Sequence, residues 1–340
     1  MKAAVLHGKE QIVVEEVAPA PLRAGEARVA IEAALTCGTD LKVYKRGYHA
    51  RMIVPPAVFG HELSGTISEV ASDVAGWNCG DRVVVANSAP CGECFYCQNR
   101  QENLCDDLLF LNGAYAESIV IPARLVQKNM LRMRPETSFV DAALTEPLAC
   151  VVQGLNDCAP KPGQHALVIG SGPIGLMFTR LLKHAGCRVT VAGRGQPRLK
   201  AARRLGADEV VEVRDTGSMT EHLRGTRFDL VVEAVGKPET WEAAVQLVRK
   251  GGVVNFFGGC PSATSVQFDT DRLHYSNITL LGSFHHTPRT IRGALELIES
   301  GIIRAADFVD GECPLTKLPE LFRSMAAGNR AVKTLVRIHE

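Results

Sequence analysis

Four cysteines lie within one short segment, at Cys91, Cys94, Cys97 and Cys105. They are separated by two, two and seven residues, so four thiolates can reach one ion from a single loop. Four thiolates complete the tetrahedral shell of a structural zinc site. The competing interpretation is an iron–sulfur cluster, but the bacterial pattern has a shorter last spacing with proline after it, whereas Asp106 follows Cys105 here. The sequence therefore predicts one structural zinc ion in this loop.

Residues of metal-binding type are also spread along the chain. Cys37, His61, Glu62 and Glu146 offer a thiolate, an imidazole and two carboxylates, all of which zinc accepts as ligands. A catalytic zinc takes three protein ligands and keeps one position for water or substrate, so Cys37, His61 and one glutamate would suffice. Each residue alone is weak support, because a lone cysteine is most often a small buried hydrophobe. Together they predict a catalytic zinc site and leave open which glutamate binds at rest.

Thr39 lies two residues after Cys37 and has two interpretations. Its hydroxyl can hydrogen-bond an oxygen held at the metal and begin a path for the proton released there. Thr39 followed by Asp40 and Leu41 is equally typical of a residue that caps the start of a helix. The sequence leaves both interpretations open.

A glycine-rich turn stands between a predicted strand and a predicted helix. It has the pattern G-x-G-x-x-G, with glycines at Gly170, Gly172 and Gly175. In a dinucleotide-binding unit the first glycine allows the tight turn, the second lets a pyrophosphate approach the backbone, and the third lets helix and strand pack closely. The pyrophosphate binds the N–H groups at the helix N-terminus, where Pro173 and Ile174 lie. We therefore expect these five residues to bind a dinucleotide.

The strand after this turn distinguishes NAD from NADP. NAD-binding chains usually carry Asp or Glu about 20 residues after the glycines, for the ribose 2′-hydroxyl. Here Gly193 stands at that place, Arg194 follows at once, and Arg198 lies four residues further along. A guanidinium offers fork-shaped donors to a 2′-phosphate, which a carboxylate would repel. The sequence predicts NADP rather than NAD, the alternative being that Arg194 is a solvated arginine at a strand end.

The overall composition excludes several classes of protein. The chain has 340 residues, with 38 Lys and Arg, 37 Asp and Glu, and a net charge of +1. Such a charge gives no indication of binding to nucleic acid or to an anionic membrane. The longest mostly apolar stretch, 166–178, is interrupted by Gly-Ser-Gly-Pro and is too short to cross a bilayer. No export signal is recognisable, so we expect a cytoplasmic protein whose eleven cysteines are thiols.

The elements that must position these residues are of two kinds. Residues 1–150 contain short runs of β type separated by Gly and Pro, which predicts a compact β-rich domain. Residues 151–285 alternate such runs with helical segments, which predicts a parallel sheet covered on both faces. The segment 286–340 adds two helices and a last strand. The expected fold class is α/β, with a β-rich domain and a doubly wound parallel-sheet domain.

The motifs together resemble the zinc-dependent medium-chain dehydrogenases of the alcohol dehydrogenase superfamily. They are Cys37-Gly-Thr-Asp40, Gly60-His-Glu62, the four-cysteine loop, Gly113-Ala-Tyr-Ala-Glu117, Glu146-Pro-Leu148 and Gly170-Ser-Gly-Pro-Ile-Gly175. The pattern is most similar to the branch of polyol (sorbitol), galactitol-phosphate and threonine dehydrogenases, over essentially the whole length. The resemblance implies a GroES-like catalytic domain at 1–150, completed by 286–340, and a Rossmann domain at 151–285 that binds NADP.

The resemblance also implies roles for single residues. Cys37, His61 and Glu62 would bind the catalytic zinc. Glu146 stands where other alcohol dehydrogenases have a cysteine ligand, so it would bind zinc directly or through water. Lys42 stands where threonine dehydrogenases tend to carry a histidine for proton relay, which speaks against threonine as the substrate. The histidine that often follows in sorbitol dehydrogenases is absent too, which weakens a strict sorbitol assignment.

The expected reaction is hydride transfer between NADP and a secondary alcohol of polyol or sugar type, with a ketone as the oxidised product. The expected partners are this small molecule and further copies of the chain in a homodimer or homotetramer. Two alternatives remain: a catalytically silent NADPH-binding protein, and a zinc-free quinone reductase on the same fold. Lys42, Arg46 and Arg51 would suit a phosphorylated sugar, although such cations are common near exposed loops. His285 and His286, just past the last strand of the parallel sheet, receive no role.

Overall fold

The computed structural model describes residues 1–49, 52–329 and 331–339. The chain divides into two compact units, one formed by Met1–Ala149 with His286–Glu340 and the other by Cys150–His285. The first boundary lies inside a continuous helix, Thr145–Cys158. Arg51, one of the cations considered for a phosphorylated substrate, lies outside the described residues.

Strands and short helices dominate the first unit, and strands alternate with longer helices in the second. The strands are β1 (Lys2–Gly8), β2 (Gln11–Glu16), β3 (Ala27–Leu35), β4 (Ala57–Val58), β5 (Glu62–Val70), β6 (Arg82–Val85), β7 (Ser88–Ala89), β8 (Leu109–Phe110), β9 (Ser118–Ile121), β10 (Met130–Arg132), β11 (His165–Ile169), β12 (Arg188–Gly193), β13 (Glu209–Glu212), β14 (Phe228–Glu233), β15 (Val248–Phe256), β16 (Thr279–Gly282), β17 (Val309–Pro314) and β18 (Lys333–Arg337). The α-helices are α1 (Gly38–Arg46), α2 (Phe95–Gln98), α3 (Ala123–Lys128), α4 (Phe139–Ala142), α5 (Thr145–Cys158), α6 (Pro173–His184), α7 (Gln196–Arg204), α8 (Thr216–His222), α9 (Pro238–Leu247), α10 (Thr270–Tyr275), α11 (Pro288–Glu299) and α12 (Leu318–Ala326).

Strand β3 organises the first unit. The larger sheet has the order β10-β6-β5-β3-β18-β17, with β9 also paired to β3, and a smaller sheet has the order β2-β1-β4. Leu35, at the end of β3, is opposite Glu62 on one side and Leu335 on the other. Because antiparallel partners meet end to start, the beginnings of β5 and β18 lie beside the end of β3. Side chains from these strands and from α12, including Ile31, Leu63 and Phe322, pack into one apolar core.

The second unit is a parallel sheet. Its described strands have the order β13-β12-β11-β14-β15-β16, and all five pairings are parallel. This is the 3-2-1-4-5-6 order of a dinucleotide-binding Rossmann fold. Helices α6 to α10 connect the strands, and α6 to α9 each bury apolar residues of their own, as the covering of a parallel sheet requires. The predicted α/β fold class, with a β-rich unit and a doubly wound parallel sheet, is confirmed.

One element differs from the sequence-based expectation. Residues 145–158 form helix α5, whereas the sequence indicates only a motif around Glu146; Pro147 fits the helix because it lies in the first turn, where its missing N–H leaves no bond unmade. The last strand of the parallel sheet, β16, ends at Gly282, so His285 lies past it, as expected from the sequence. Over the described residues, no helix has both the length and the apolar character needed to span a membrane.

Candidate catalytic, structural-metal and cofactor sites

Cys37 lies at the N-cap of helix α1, directly after strand β3. Its backbone is extended (φ −118°, ψ 149°), its Sγ accepts a hydrogen bond from Thr39 N at 3.4 Å, and its N–H donates to Asp40 Oδ2 at 3.3 Å. These reciprocal bonds form a capping box that orients the Cys37 side chain. The alternative that Thr39 caps this helix is wrong, because Thr39 lies inside the first turn and Cys37 holds the cap position.

His61 precedes strand β5 and is buried. Its Nδ1 lies 2.9 Å from Oδ1 of the buried Asp40. A proton on Nδ1, facing this carboxylate, would leave the Nε2 lone pair for a metal. Burial alone would lower the pKa of His61, but the charges of Asp40 and Cys37 raise it well above its ordinary value. The surroundings of this imidazole therefore favour an added positive charge.

Glu62, the first residue of β5, shares its burial with a cation. Its side chain is 0% exposed, and Oε2 is paired with Nζ of Lys333, whose side chain is 2% exposed. Lys333 Nζ also donates to the carbonyl oxygen of Thr36 at 3.1 Å. Burial raises the pKa of Glu62, and the Lys333 ammonium opposes that rise. Glu62 Oε1 is buried with no hydrogen-bond partner among the described residues.

The thiol of Cys37, the imidazole of His61 and the carboxylate of Glu62 come together. One ligand atom from each lies within 4.8 Å of the other two. These are donor types that zinc takes in catalytic sites. A buried carboxylate oxygen that lacks a partner calls for an explanation, and a cation at this point would supply the missing contact. The residues present therefore fit a zinc ion with three protein ligands.

Glu146 lies in the first turn of α5 and is also buried. Loss of hydration raises its pKa to about 7. Its Oε1 is 3.9 Å from Nε2 of His286, which donates to Asn87 Oδ1 at 2.9 Å. Glu146 is not a member of the group of ligand atoms within 4.8 Å that Cys37, His61 and Glu62 form. Glu146 thus borders the same buried polar region, in a pair with a histidine to which the sequence assigns no role.

Tyr115 extends the contacts around the imidazole. Its hydroxyl donates to Asp40 Oδ2 at 2.5 Å, so Asp40 contacts His61 with one oxygen and Tyr115 with the other. The tyrosine ring packs on Gly60, where an added Cβ would lie 2.7 Å from ring atoms, and Gly60 also has a φ of +88°. Only glycine suits both the space and the conformation. The glycine before His61 is therefore required for the tyrosine to reach Asp40.

The four cysteines of the loop converge as the sequence predicts. Their sulfur atoms all lie within 4.8 Å of one another, with Sγ–Sγ distances of 3.5 Å for Cys91–Cys105 and 3.9 Å for both Cys91–Cys97 and Cys94–Cys105. These distances exclude disulfide bonds, which are near 2.0 Å. Four sulfurs at such distances fit a tetrahedral zinc site with no position left for substrate.

Backbone N–H groups of this loop donate hydrogen bonds to the cysteine sulfurs, which favours the thiolate form. The N–H groups of Glu93 and Cys94 both donate to Cys91 Sγ at 3.4 Å, and they lower the pKa of Cys91 to about 6. Burial raises the pKa of Cys97 to about 12, although the N–H of Gly92 donates to its sulfur at 3.4 Å. Since thiolates are the metal-binding form, the lowered pKa of Cys91 favours its metal-binding state, and a bound cation would favour ionisation of the other cysteines.

The glycine-rich turn joins β11 to α6. Gly170 has a φ of +115°, and a Cβ at Gly175 would lie 1.9 Å from the Gly170 carbonyl oxygen, so turn and helix pack closely here. At Gly172, the N-cap of α6, no atom lies within 4 Å of an added Cβ, and Pro173 and Ile174 begin the helix. This open space in front of a helix N-terminus is the cradle that a pyrophosphate requires. The turn therefore fits a dinucleotide.

The residues considered for cofactor choice lie at the same edge of the parallel sheet. Ile169, before the glycine turn, is opposite Ala192 of β12, and Gly193 ends that strand. The side chain of Arg194 is exposed, and Arg198 is partly buried in the first turns of α7. The pairing of β11 with β12 brings Arg194 to the edge that carries the turn.

Four residues of the catalytic region were not identified by their chemistry in the sequence. Asp40 and Tyr115 stand within the motifs that resemble the family, but neither is assigned a role of its own from the sequence. His286 also received no role. Lys333 gave one usable signal, because a lysine at the start of a final apolar strand is uncommon unless it is paired. Its partner Glu62 is 271 positions away in the chain and cannot be inferred from spacing.

Two family models match the chain. Residues 23–130 match the GroES-like domain of alcohol dehydrogenases, and residues 173–300 match the zinc-binding dehydrogenase domain. The first match contains Cys37, His61, Glu62 and the cysteine loop, and the second begins inside the glycine turn. The order and extent of the two matches agree with the expected resemblance.

Similar proteins extend over nearly the whole chain. D-altritol 5-dehydrogenase of Agrobacterium fabrum is 34% identical over 323 residues, which cover 92% of this chain and 93% of that protein. Sorbitol dehydrogenase of Bacillus subtilis is 27% identical over 343 residues, covering 99% and 97%. A zinc-binding dehydrogenase of Sinorhizobium meliloti bound to NADP has a TM-score of 0.90 at 28% identity, covering 99% and 98%. The chain therefore belongs to the zinc-dependent medium-chain dehydrogenases of the alcohol dehydrogenase superfamily, and it is an oxidoreductase.

Proposed function

We propose that this protein transfers a hydride between NADP and a secondary alcohol of polyol or sugar type, with one catalytic and one structural zinc ion in each chain. The observation that carries the proposal is the convergence of Cys37, His61 and Glu62 to within 4.8 Å, with a buried Glu62 oxygen left without a partner. The fold brings these three residues together from distant parts of the chain, and their side chains are of the types that bind a catalytic zinc.

Some residues of the site would hold the metal, and others would move a proton. When bound, zinc would acidify an alcohol or polarise a ketone as a Lewis acid. Cys37, His61 and Glu62 would hold it, and the Asp40 carboxylate, 2.9 Å from Nδ1, would favour the imidazole tautomer with Nε2 available. We assign to the partly buried Thr39 hydroxyl the first step of the proton path, since it lies in the same turn as Cys37.

Glu146 is suited to a second task in the same region. With its pKa raised to about 7 by burial, it can hold or release a proton near neutral pH. Its neighbour His286 is kept in place by Asn87. We propose that Glu146 lies outside the resting ligand set and would be available to a bound zinc ion, directly or through water, during turnover.

The preference for NADP rests on the residues after β12. Gly193 leaves no carboxylate to repel a 2′-phosphate, and the exposed guanidinium of Arg194, with Arg198 on the next helix, supplies positive charge. The Sinorhizobium meliloti relative binds NADP. The substrate class is proposed from relatives named for altritol and sorbitol, and we propose a homodimer or homotetramer as for the family.

One set of measurements tests the function. We expect metal analysis to find about two zinc ions per chain, and we expect oxidation of sugar alcohols with NADP, followed by NADPH absorbance, to exceed that with NAD. A panel of polyols and their phosphates identifies the substrate. About one zinc and no turnover would instead support a silent NADPH-binding protein, and no zinc with quinone reduction would support a quinone reductase.

A further inference from the structure

Gly193 lies unusually close to the glycine-rich turn. An added Cβ at this position would lie 2.3 Å from Ser171 Oγ, 2.5 Å from Ser171 Cβ and 3.0 Å from Ser171 N. Contacts under 3.0 Å are not tolerated without movement, because interiors are close-packed. Two of the three short contacts are to the Ser171 side chain, and only the third is to backbone. Ser171 therefore leaves no space for a side chain at position 193.

Ser171 also holds the main chain of the next residue. Its hydroxyl accepts a hydrogen bond from Arg194 N at 3.2 Å and donates one to Arg194 O at 3.1 Å. Ser171 is 4% exposed, so this pair of bonds is shielded from water, where hydrogen bonds are harder to replace. One buried hydroxyl thus fixes the backbone from which the exposed Arg194 side chain extends.

We propose that Ser171 and Gly193 act as a pair that determines the choice of NADP over NAD, an inference that rests on the NADP preference in the proposed function. NAD-binding chains place a carboxylate at the end of this strand to bind the ribose 2′-hydroxyl. Ser171 occupies the space that such a residue would need, and it fixes Arg194 so that its guanidinium meets a 2′-phosphate. Changing position 193 alone therefore does not convert the specificity.

Binding of half-cofactors tests the pair without any turnover. The probes are 2′,5′-ADP, which carries the 2′-phosphate, and 5′-AMP, which does not, with affinities measured by calorimetry for zinc-loaded protein. For S171A we expect 2′,5′-ADP to bind about three- to tenfold more weakly, as for the loss of one or two hydrogen bonds. The affinity for 5′-AMP should stay unchanged. S283A is the matched control, since Ser283 also hydrogen-bonds within this unit, to Asp157 at 2.6 Å.

The Gly193 variants test whether the two positions depend on each other. We expect G193D to weaken binding of both probes, because the new side chain displaces the turn. The double variant S171G/G193D removes two of the three short contacts, so it should bind 5′-AMP and NADH at least about tenfold more tightly than G193D does. If G193D alone favours NADH as strongly as the double variant does, the proposal that positions 171 and 193 depend on each other is wrong.

The outcomes separate this inference from the proposed function. A wild-type protein that binds 5′-AMP as well as 2′,5′-ADP contradicts the NADP preference itself. A wild-type preference for 2′,5′-ADP that persists unchanged in S171A contradicts only the role of Ser171. Should G193D fail to fold by circular dichroism, the S171A and S283A titrations still decide the matter.

Discussion

The two metal-binding regions of this molecule are built in opposite ways. In the cysteine loop, all four ligands lie between Cys91 and Cys105, and backbone N–H groups of the same loop donate to the sulfurs. In the catalytic region, Cys37 follows β3, His61 precedes β5, and Glu62 is the first residue of β5. Their supporting contacts come from Tyr115 and from Lys333 at the start of the last strand. One site is local in the chain, and the other exists only when distant strands pair.

This difference separates the roles of the two sites. A local site with four thiolates and no open position can shape a loop but offers no place for substrate. The dispersed site is buried, contains charges of both signs, and has a carboxylate oxygen without a partner among the described residues. Burial of charges destabilises a fold unless they are paired, so we expect such a site to be retained for chemistry. Variants of each region should therefore affect different measurable properties.

The largest effect is expected for C37S. Serine is a poor zinc ligand, so the catalytic ion should be lost, and turnover should fall by about a thousandfold or more because several kcal/mol of barrier lowering depend on the metal. Zinc content should drop from about two to about one per chain, with little change in melting temperature. Metal analysis and steady-state kinetics on the same preparation check both.

C79S is the control for this substitution, because Cys79 is exposed and belongs to neither cluster. It should keep both zinc ions and full turnover. A C37S protein with an undiminished rate would remove Cys37 from the catalytic site and, with it, the contrast between the two regions.

A smaller effect, on stability rather than rate, is expected for C94S. Loss of one thiolate opens the local site, and the loop loses the free energy that a structural zinc contributes to folding. The melting temperature should fall by about 10 °C, while turnover of the protein that remains folded stays close to normal. Scanning calorimetry measures the loss of stability, and active-site titration measures the turnover of the molecules that remain folded. An unchanged melting temperature would mean that the loop holds its shape without metal.

The smallest effect is expected for Y115F. Asp40 loses one hydrogen bond, so the imidazole of His61 is held less firmly, and affinity for the catalytic zinc should fall about tenfold, as for other partners of metal ligands. Chelator competition measures this affinity directly. Y44F is the matched control, since the rings of Tyr44 and Tyr115 both pack on Phe322. Equal effects of the two variants would assign to Tyr115 a packing role alone.

The sequence was sufficient for the general plan and for the local motifs. The alternation of strands and helices after residue 150 predicts the parallel sheet that the structure shows, and the spacing of the cysteines predicts their convergence. Helix α5 was not predicted because the motif around Glu146 and the expected domain boundary near residue 150 both fall within it. The interpretation of Thr39 as a cap was wrong because Cys37, a rarer cap residue, makes the required hydrogen bonds.

What the chain determines alone is the chemistry of residues that are close in sequence. The geometry of the cysteine loop and of the glycine turn follows from a few backbone dihedrals, which local sequence controls. Tertiary structure alone decided that Lys333 meets Glu62 and that Tyr115 reaches Asp40. The Lys333–Glu62 pair depends on β5 and β18 pairing with the same strand, β3. Tyr115 is placed by a different contact, the backbone hydrogen bond from its N–H to the Phe59 carbonyl oxygen at 2.9 Å. Strand register is set by the burial of whole faces, and no spacing along the chain encodes it.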